Sequence, residues 1–133
     1  VRYYNDSIAS SPTRTIAGLN SFQQKVILIA GGYDKHIPFD VLGPEICAHV
    51  KTLVLCGATA GKIRAAVENA PEYREGEPQI LEADNLREAV ELAKNAAAAG
   101  DIVTLSPACA AFDQFKNFAV RGKTFKEIVN SLT

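Results

Sequence analysis

Lys35 is the first candidate for a functional residue, because its type and position would allow it to bind an anion. It follows two glycines in the segment "GGYDK", residues 31–35, and those glycines follow a continuous apolar run at residues 26–30. Consecutive glycines allow the backbone to turn sharply out of a sheet, and a lysine just beyond such a turn can hold a carboxylate or a phosphate as a point charge. An ordinary solvated lysine accounts for the spacing equally well, so both interpretations stay open.

A second candidate is the hydroxyl-rich segment "NDSIASSPTRT", residues 5–15. Ser11 followed by Pro12 is typical of an N-cap and of the first position of a helix. Asp6 and Ser10 would then lie just before the helix start, where hydroxyls and N–H groups favour an anion. Capping by Ser11 explains most of the pattern without a ligand.

The segment "SPACAAFDQFKNF", residues 106–118, follows another apolar run and contains little side-chain volume in its first half. Small residues at a strand end let backbone N–H groups approach a ligand closely, and a following helix adds its N-terminal dipole. The alternative is that they permit tight packing of the turn under a neighbouring loop. Three phenylalanines are interpreted as core residues rather than stacking platforms: Phe115, Phe118 and Phe125.

Two further patterns are not predicted to be functional motifs. "GATAGK", residues 57–62, has three residues between its glycines and Ile63 after its lysine, whereas a phosphate loop needs four residues there and then a Ser or Thr. We therefore predict a simple strand-to-helix turn. His36 and His49 have no partner at metal-ligand spacing, and the three cysteines are expected to be reduced and buried.

The composition predicts one globular domain and excludes two classes of partner. The chain has 133 residues, 47% of them hydrophobic, and a formal net charge of −1, so it lacks the basic excess of a nucleic-acid-binding protein. No apolar run approaches the roughly 20 residues that cross a bilayer, so we expect no membrane partner either. The chain opens on strand-like sequence without a Met, and we expect a piece of a longer protein.

Short apolar runs alternate with amphipathic segments along the chain. Strands are predicted at residues 2–5, 26–30, 52–56, 78–81 and 102–105. Helices are predicted after N-caps or capping boxes at Ser11, Thr59, Asn85 and Thr124, with Pro71 and Gly100 as stops for the second and third. Pro38 and Pro44 predict that the segment after His36 forms a short or broken helix.

This β-α-β-α order predicts an α/β fold with a doubly wound, mostly parallel sheet flanked by helices. Such sheets bind ligands beyond the carboxyl ends of their strands, which is where all three candidate segments lie. They would collect a lysine, hydroxyls and backbone amides suited to a small anion such as an amino acid or phosphate. A general base, a nucleophile and a metal site are all missing from the pattern, which is unusual for a complete enzyme.

Taken together, the segments "NDSIASSP", "LIAGGYDK" and "LSPACAAFDQFKNFAVRGKTFKEIV" resemble the C-terminal domain of the bacterial Mur ligases. The resemblance covers nearly the whole chain and is closest to members that add D-glutamate to UDP-N-acetylmuramoyl-L-alanine. It implies a Rossmann-like three-layer sandwich, with residues 1–133 forming the amino-acid-binding domain of a monomeric, cytoplasmic, three-domain ligase of peptidoglycan synthesis. It also implies an acyl-phosphate mechanism, with ATP and Mg²⁺ bound mainly by a central domain outside this chain.

The resemblance also implies roles for individual residues. Lys35 would bind one carboxylate of D-glutamate, and Ser10 stands where the family usually has a threonine. Ala111 and Phe118 would help to hold the other carboxylate, partly through backbone N–H groups. Asp6 would face the nucleotide. Catalytic residues are expected outside this chain.

Two positions depart from the family pattern. Ile8 stands where the common motif has a lysine, and Ala111 often corresponds to a serine. The loss of a cation and a hydroxyl should weaken the grip on a dicarboxylate. Arg14, one helical turn beyond Ser10, is hypothesised to supply the missing charge.

Three functions stay open at this point. The first is the amino-acid-binding domain of a D-glutamate-adding ligase. The second is the same domain in a ligase for another amino acid, which the two departures would favour. The third is a non-catalytic α/β module that binds a small anion.

Overall fold

The computed structural model describes residues 1–111 and 115–132. Residues 112–114, inside the predicted segment 106–118, lie outside the described residues, as does residue 133. Strands and helices alternate along the described chain. They are β1 (Arg2–Asn5), α1 (Pro12–Asn20), β2 (Val26–Ala30), α2 (Leu42–His49), β3 (Val50–Leu55), α3 (Ala60–Glu68), β4 (Gln79–Glu82), α4 (Leu86–Ala96), β5 (Ile102–Leu105) and α5 (Phe118–Asn130).

The strands form one sheet in the order β1-β5-β2-β3-β4, and every neighbouring pair is parallel. Strand β5 lies between β1 and β2: Val103 is opposite Tyr3 of β1 on one side and Ile27 of β2 on the other. The predicted parallel α/β sheet is therefore confirmed. The last strand in the sequence, β5, therefore lies between the first two in the sheet.

Helices cover both faces of the sheet, which explains why the central strands are continuously apolar. Leu28 and Leu53 point towards the face covered by α1, α2 and α3, whereas Ile27, Ile29 and Val54 point towards α4 and α5. All five residues of β2 are buried. The result is the three-layer sandwich that the sequence predicts.

The helix placement singles out the carboxyl end of β5. The helix after β5 packs on one face of the sheet, while the helices after its two neighbours, β1 and β2, pack on the other. Parallel α/β sheets bind ligands where the following helices diverge in this way. The loops after β1, β2 and β5 therefore define the region in which a site should be sought.

The predicted start of the last helix is wrong. Helix α5 begins at Phe118, and Asn117 is its N-cap, because the Asn117 side chain accepts a 2.9 Å hydrogen bond from the N–H of Val120. Thr124 lies in the interior, where its hydroxyl donates to the carbonyl of Val120 at 2.9 Å. Gly122 does not break the helix. A Cβ there would lie 3.1 Å from the Ser7 side chain, so the glycine allows α5 to approach the loop after β1.

The remaining boundaries are close to their predictions. The N-caps Ser11 and Asn85 both accept the expected backbone hydrogen bonds. Helix α4, however, ends at Ala96, before the predicted stop at Gly100. Phe125 is buried and Phe115 is half-buried, but the core interpretation of Phe118 is wrong, since 45% of that residue is exposed. Among the described residues, no helix is long and apolar enough to span a membrane.

Candidate functional site

The turn after β2 requires its glycines. Gly31 has a φ of +115°, and a Cβ on it would lie only 1.9 Å from the carbonyl oxygen of Cys56. A Cβ on Gly57, in the neighbouring turn, would lie 2.8 Å from the Cα of Gly32. The turns after β2 and β3 are therefore in backbone contact, which side chains would prevent. The predicted sharp turn before Lys35 is confirmed.

Thr59 fastens this turn from the start of α3. Its Oγ1 accepts a 3.0 Å hydrogen bond from the N–H of Gly32, and its own N–H donates to the Gly32 carbonyl at 3.3 Å. The same Oγ1 lies 3.1 Å from the Sγ of buried Cys109. Thr59 therefore joins the turns after β2 and β5 instead of capping α3, which begins without a side-chain cap.

The loop after β5 is packed tightly between its neighbours. Two of its carbonyl groups accept hydrogen bonds from the turn after β2. The Gly31 N–H donates to the Pro107 carbonyl and the Tyr33 N–H donates to the Ala110 carbonyl, both at 2.9 Å. On the other side the N–H of Ala108 donates to the carbonyl of Ala9 at 3.0 Å. Ala108 through Ala111 are all buried. Tight packing, the alternative weighed from the sequence, therefore describes residues 108–110, where small side chains let three loops meet.

Arg121 of α5 joins the loops after β1 and β5, and sequence reasoning missed it. Only 3% of it is exposed. Its guanidinium donates to the carbonyls of Ser7 (2.7 Å) and Cys109 (2.8 Å) and to the hydroxyl of Ser7 (3.0 Å), and it lies 3.5 Å from the Ser10 hydroxyl. The Ser7 hydroxyl in turn donates to the carbonyl of Phe118 at 2.7 Å. Arg121 lies four residues before Phe125, and this spacing indicates that both side chains are on the core-facing side of α5.

The structure brings part of the predicted site together. Ser10 is half-buried and Phe118 is exposed at the first turn of α5, and both are tied to the cluster of Ser7 and Arg121. Lys35 is exposed and lies two residues after Tyr33, which bridges to Ala110 of the β5 loop. Ala111, the next residue after Ala110, is buried. The loops that carry these side chains are thus joined at one edge of the sheet.

The remaining predicted residues differ in their surroundings. Arg14 is exposed in the first turn of α1, whose N-cap is Ser11. Ile8 is 53% exposed, which is unusual for an isoleucine. Asp6 is half-buried, and its Oδ2 accepts a 2.8 Å hydrogen bond from the hydroxyl of Ser106. Gly18 of α1 approaches the same oxygen, which a Cβ would meet at 2.7 Å, so one oxygen of Asp6 has a structural partner.

An ion pair borders Lys35. The ammonium of Lys62 in α3 pairs with the carboxylate of Asp34, whose Oδ1 also accepts a 2.8 Å hydrogen bond from the N–H of His36. The Lys62 contact first, and the His36 N–H next, hold the pKa of Asp34 below its ordinary value. Asp34 therefore stays ionised at neutral pH.

Two further features complete the description of this region. A groove of about 640 Å³ lies between residues 36–44 and α3, next to the Lys35 turn at His36 and Lys62, and it is lined mainly by apolar side chains such as Ile37, Phe39 and Ala66. In the part of the chain that the structure describes, no three His, Cys, Asp or Glu side chains lie close enough to hold a metal ion.

Comparisons with known proteins agree with the fold and the resemblance. A family model described as "Mur ligase, glutamate ligase domain" matches residues 1–109. The chain is 58% identical over 132 residues to the UDP-N-acetylmuramoylalanine--D-glutamate ligase of Clostridium kluyveri and 55% identical to the ligase of that name from Clostridium botulinum. Each alignment covers 99% of this chain, which spans only 29% of the length of either relative.

One solved structure supports the fold alone. It is a domain of a putative UDP-N-acetylmuramate:L-alanyl-gamma-D-glutamyl-medo-diaminopimelate ligase from Haemophilus ducreyi. The TM-score is 0.57, with 16% identical residues, and the match covers 95% of this chain and 89% of that one.

Proposed function

This chain belongs to the Mur ligase family, and we propose that residues 1–133 are the C-terminal domain of a three-domain, ATP-dependent ligase. That enzyme would join D-glutamate to UDP-N-acetylmuramoyl-L-alanine in the cytoplasm, as a step of peptidoglycan synthesis. The relatives named for this reaction align with 99% of the chain at 55–58% identity. That similarity carries the choice of reaction. The structure supports the proposal through the loops that meet at one sheet edge.

The domain would bind and position D-glutamate. We assign one carboxylate to the ammonium of Lys35 and the hydroxyl of Ser10. The other carboxylate would lie at Ala111 and the first turn of α5, where the N–H of Phe118 points out of the helix start. The start of α5 supports this assignment, because the side chain of its N-cap bonds only the N–H of Val120, and the N–H groups of the two residues before it have no acceptor within the helix.

Two further assignments extend the site. Arg14, exposed in the first turn of α1, would add the positive charge that Ile8 does not supply. Asp6 would face the nucleotide with the edge of its carboxylate that is turned away from Ser106. The Ser106 hydroxyl holds Oδ2 at 2.8 Å and so fixes the orientation of that carboxylate.

The chemistry would be shared between this domain and the rest of the polypeptide. ATP supplies the phosphoryl group that activates the substrate carboxylate as an acyl phosphate, and Mg²⁺ stabilises the charge on the phosphates. Because the described residues hold no cluster of metal ligands, we assign ATP and Mg²⁺ mainly to the other domains. This domain's part is to hold the amine of D-glutamate against the activated carboxyl carbon.

A ligase of the same family with another amino acid is the second candidate. The observation that favours it is the pair of departures, the exposed Ile8 and the methyl side chain of Ala111, at an edge that would hold two carboxylates. Neither residue can donate a hydrogen bond from its side chain.

Phosphate release by the full-length protein separates the two candidates. The protein is incubated with ATP, Mg²⁺ and UDP-N-acetylmuramoyl-L-alanine and with each of a panel of D- and L-amino acids. We expect release that depends on D-glutamate. Release with a different amino acid would replace the proposed substrate, and no release with any of them would favour a binding module without chemistry.

A further inference from the structure

The segment "GATAGK", residues 57–62, contacts the turn that carries Lys35 at two points. Thr59 exchanges two hydrogen bonds with the backbone of Gly32, at the beginning of that turn. Lys62 pairs with Asp34, the residue immediately before Lys35. A segment that resembles a phosphate loop only in part therefore acts as the support of a neighbouring turn.

Asp34 connects this support to the backbone on the far side of Lys35. Its Oδ1 accepts from the N–H of His36 at 2.8 Å, while its Oδ2 faces Lys62. His36 has a φ of +59°, in the left-handed region that a residue with a Cβ adopts at a cost. The Asp34 side chain thus closes a turn with Lys35 at its centre, and Lys62 holds that side chain against α3.

We propose that Lys62 and Asp34 are positioning residues that fix the Lys35 ammonium for the carboxylate of the amino-acid substrate. This inference rests on the proposed function of Lys35. Both side chains are partly exposed, 51% for Lys62 and 20% for Asp34. The pair therefore contributes as a surface ion pair does, and its loss is expected to change substrate binding only several-fold.

A purely electrostatic role makes the opposite prediction for one variant. If Lys62 only neutralised the charge of Asp34, Lys62→Met would weaken the binding of an anion, but Asp34→Asn would strengthen it. The double variant would then restore ordinary binding. Under the positioning role, each single variant loosens the same turn, so the two single variants weaken binding alike and the double variant is no worse than either.

The test is steady-state kinetics of the full-length protein with D-glutamate as the varied substrate. Lys62→Met and Asp34→Asn are each expected to raise the KM for D-glutamate about three- to fivefold with kcat within about twofold, because uniform binding is lost. Lys62→Arg keeps the pair and should stay near wild type. Lys51→Met is the matched control, since it breaks the 2.8 Å pair with Asp101 at the opposite end of the strands, and its KM should not change.

A second measurement needs no substrate. Backbone ¹⁵N relaxation at residues 34–36 of this chain should show larger amplitudes in Lys62→Met than in wild type or Lys51→Met. An active wild-type enzyme with an unchanged KM in both single variants would overturn the inference, whatever the relaxation shows. So would a lowered KM in Asp34→Asn. Absence of D-glutamate-dependent activity in wild type would instead overturn the proposed function, while the relaxation data would still report on the turn.

Discussion

The side chains proposed to hold the substrate differ in how the fold supports them. Ser10 lies 3.5 Å from the guanidinium of Arg121, and Phe118 is anchored through its carbonyl by Ser7, so both follow the loop after β1. Lys35 instead depends on a turn whose glycines lie against the backbone of the turn after β3. The two halves of the site therefore come from opposite sides of β5.

Replacement of Lys35 tests the residue that should contribute most. Lys35→Met would remove the proposed charge-assisted hydrogen bond to a substrate carboxylate, and such bonds contribute about 1.5–3 kcal/mol. We expect the KM for D-glutamate to rise about 10- to 100-fold, measured by phosphate release from the full-length protein. The KM for ATP should stay within about twofold. Equal losses for both substrates would argue against a specific role in amino-acid binding.

At the scale of elements, α5 is fastened to the sheet edge by Arg121, with four contacts to the loops after β1 and β5. Arg121→Met would leave the Ser7 and Cys109 carbonyls buried without their donor. We expect the free energy of unfolding of this chain to fall by about 3 kcal/mol, measured by urea denaturation. Arg87→Met, on the exposed side of α4, is the control and should change stability by less than about 0.5 kcal/mol. Equal effects would remove the fastening role.

The loop before β5 makes stability depend on pH. The Ala98 N–H first, at 2.8 Å, and then Lys51 lower the pKa of Asp101 below its ordinary value. A lowered folded-state pKa contributes stability that is present above the unfolded pKa and is lost as pH falls through the folded one. We expect Asp101→Asn to be less stable than wild type at pH 7, and the difference in urea midpoint to shrink as pH is lowered to about 3. A difference independent of pH would contradict this account.

Elements whose pattern is local were predictable from the sequence, and those that depend on distant partners were not. Residues 26–30 could be assigned to a strand because burial on both faces makes every position apolar. The start of α5 was misplaced because Thr124 lies in a local capping-box pattern, whereas the N-cap in the structure is Asn117. Gly122 lies inside the helix and allows the close approach of Ser7, more than a hundred residues earlier. The burial of Arg121 could not be predicted, because the carbonyls that accept its hydrogen bonds belong to loops that are distant in the sequence or only meet in the fold.

At the scale of the whole molecule, the candidate site is an edge rather than an enclosed cavity. A groove of about 640 Å³ adjoins it along α3 and is lined mainly by apolar side chains, and the chain spans 29% of the length of the relatives that it matches. An open edge suits a domain whose activated substrate arrives from another domain, as we propose for this chain. Closure over that domain would exclude water and bring the amine to the reacting carbon.

Because ATP and Mg²⁺ are assigned mainly to the other domains, we predict that this chain alone is inactive. Purified residues 1–133 should neither release phosphate from ATP nor form an amide bond with any substrate combination, while remaining folded by circular dichroism. The full-length protein at the same concentration provides the positive control. Measurable turnover by the isolated chain would overturn its assignment as a non-catalytic domain.

The most direct test of the central claim is the mass of the product made by the full-length protein. UDP-N-acetylmuramoyl-L-alanine, ATP and Mg²⁺ are supplied together with D-glutamate or, in a parallel reaction, with L-glutamate. The account predicts that D-glutamate alone yields a product heavier than the nucleotide substrate by one glutamyl residue, with one phosphate released for each amide formed. A product with L-glutamate instead, or no product with D-glutamate, would contradict it.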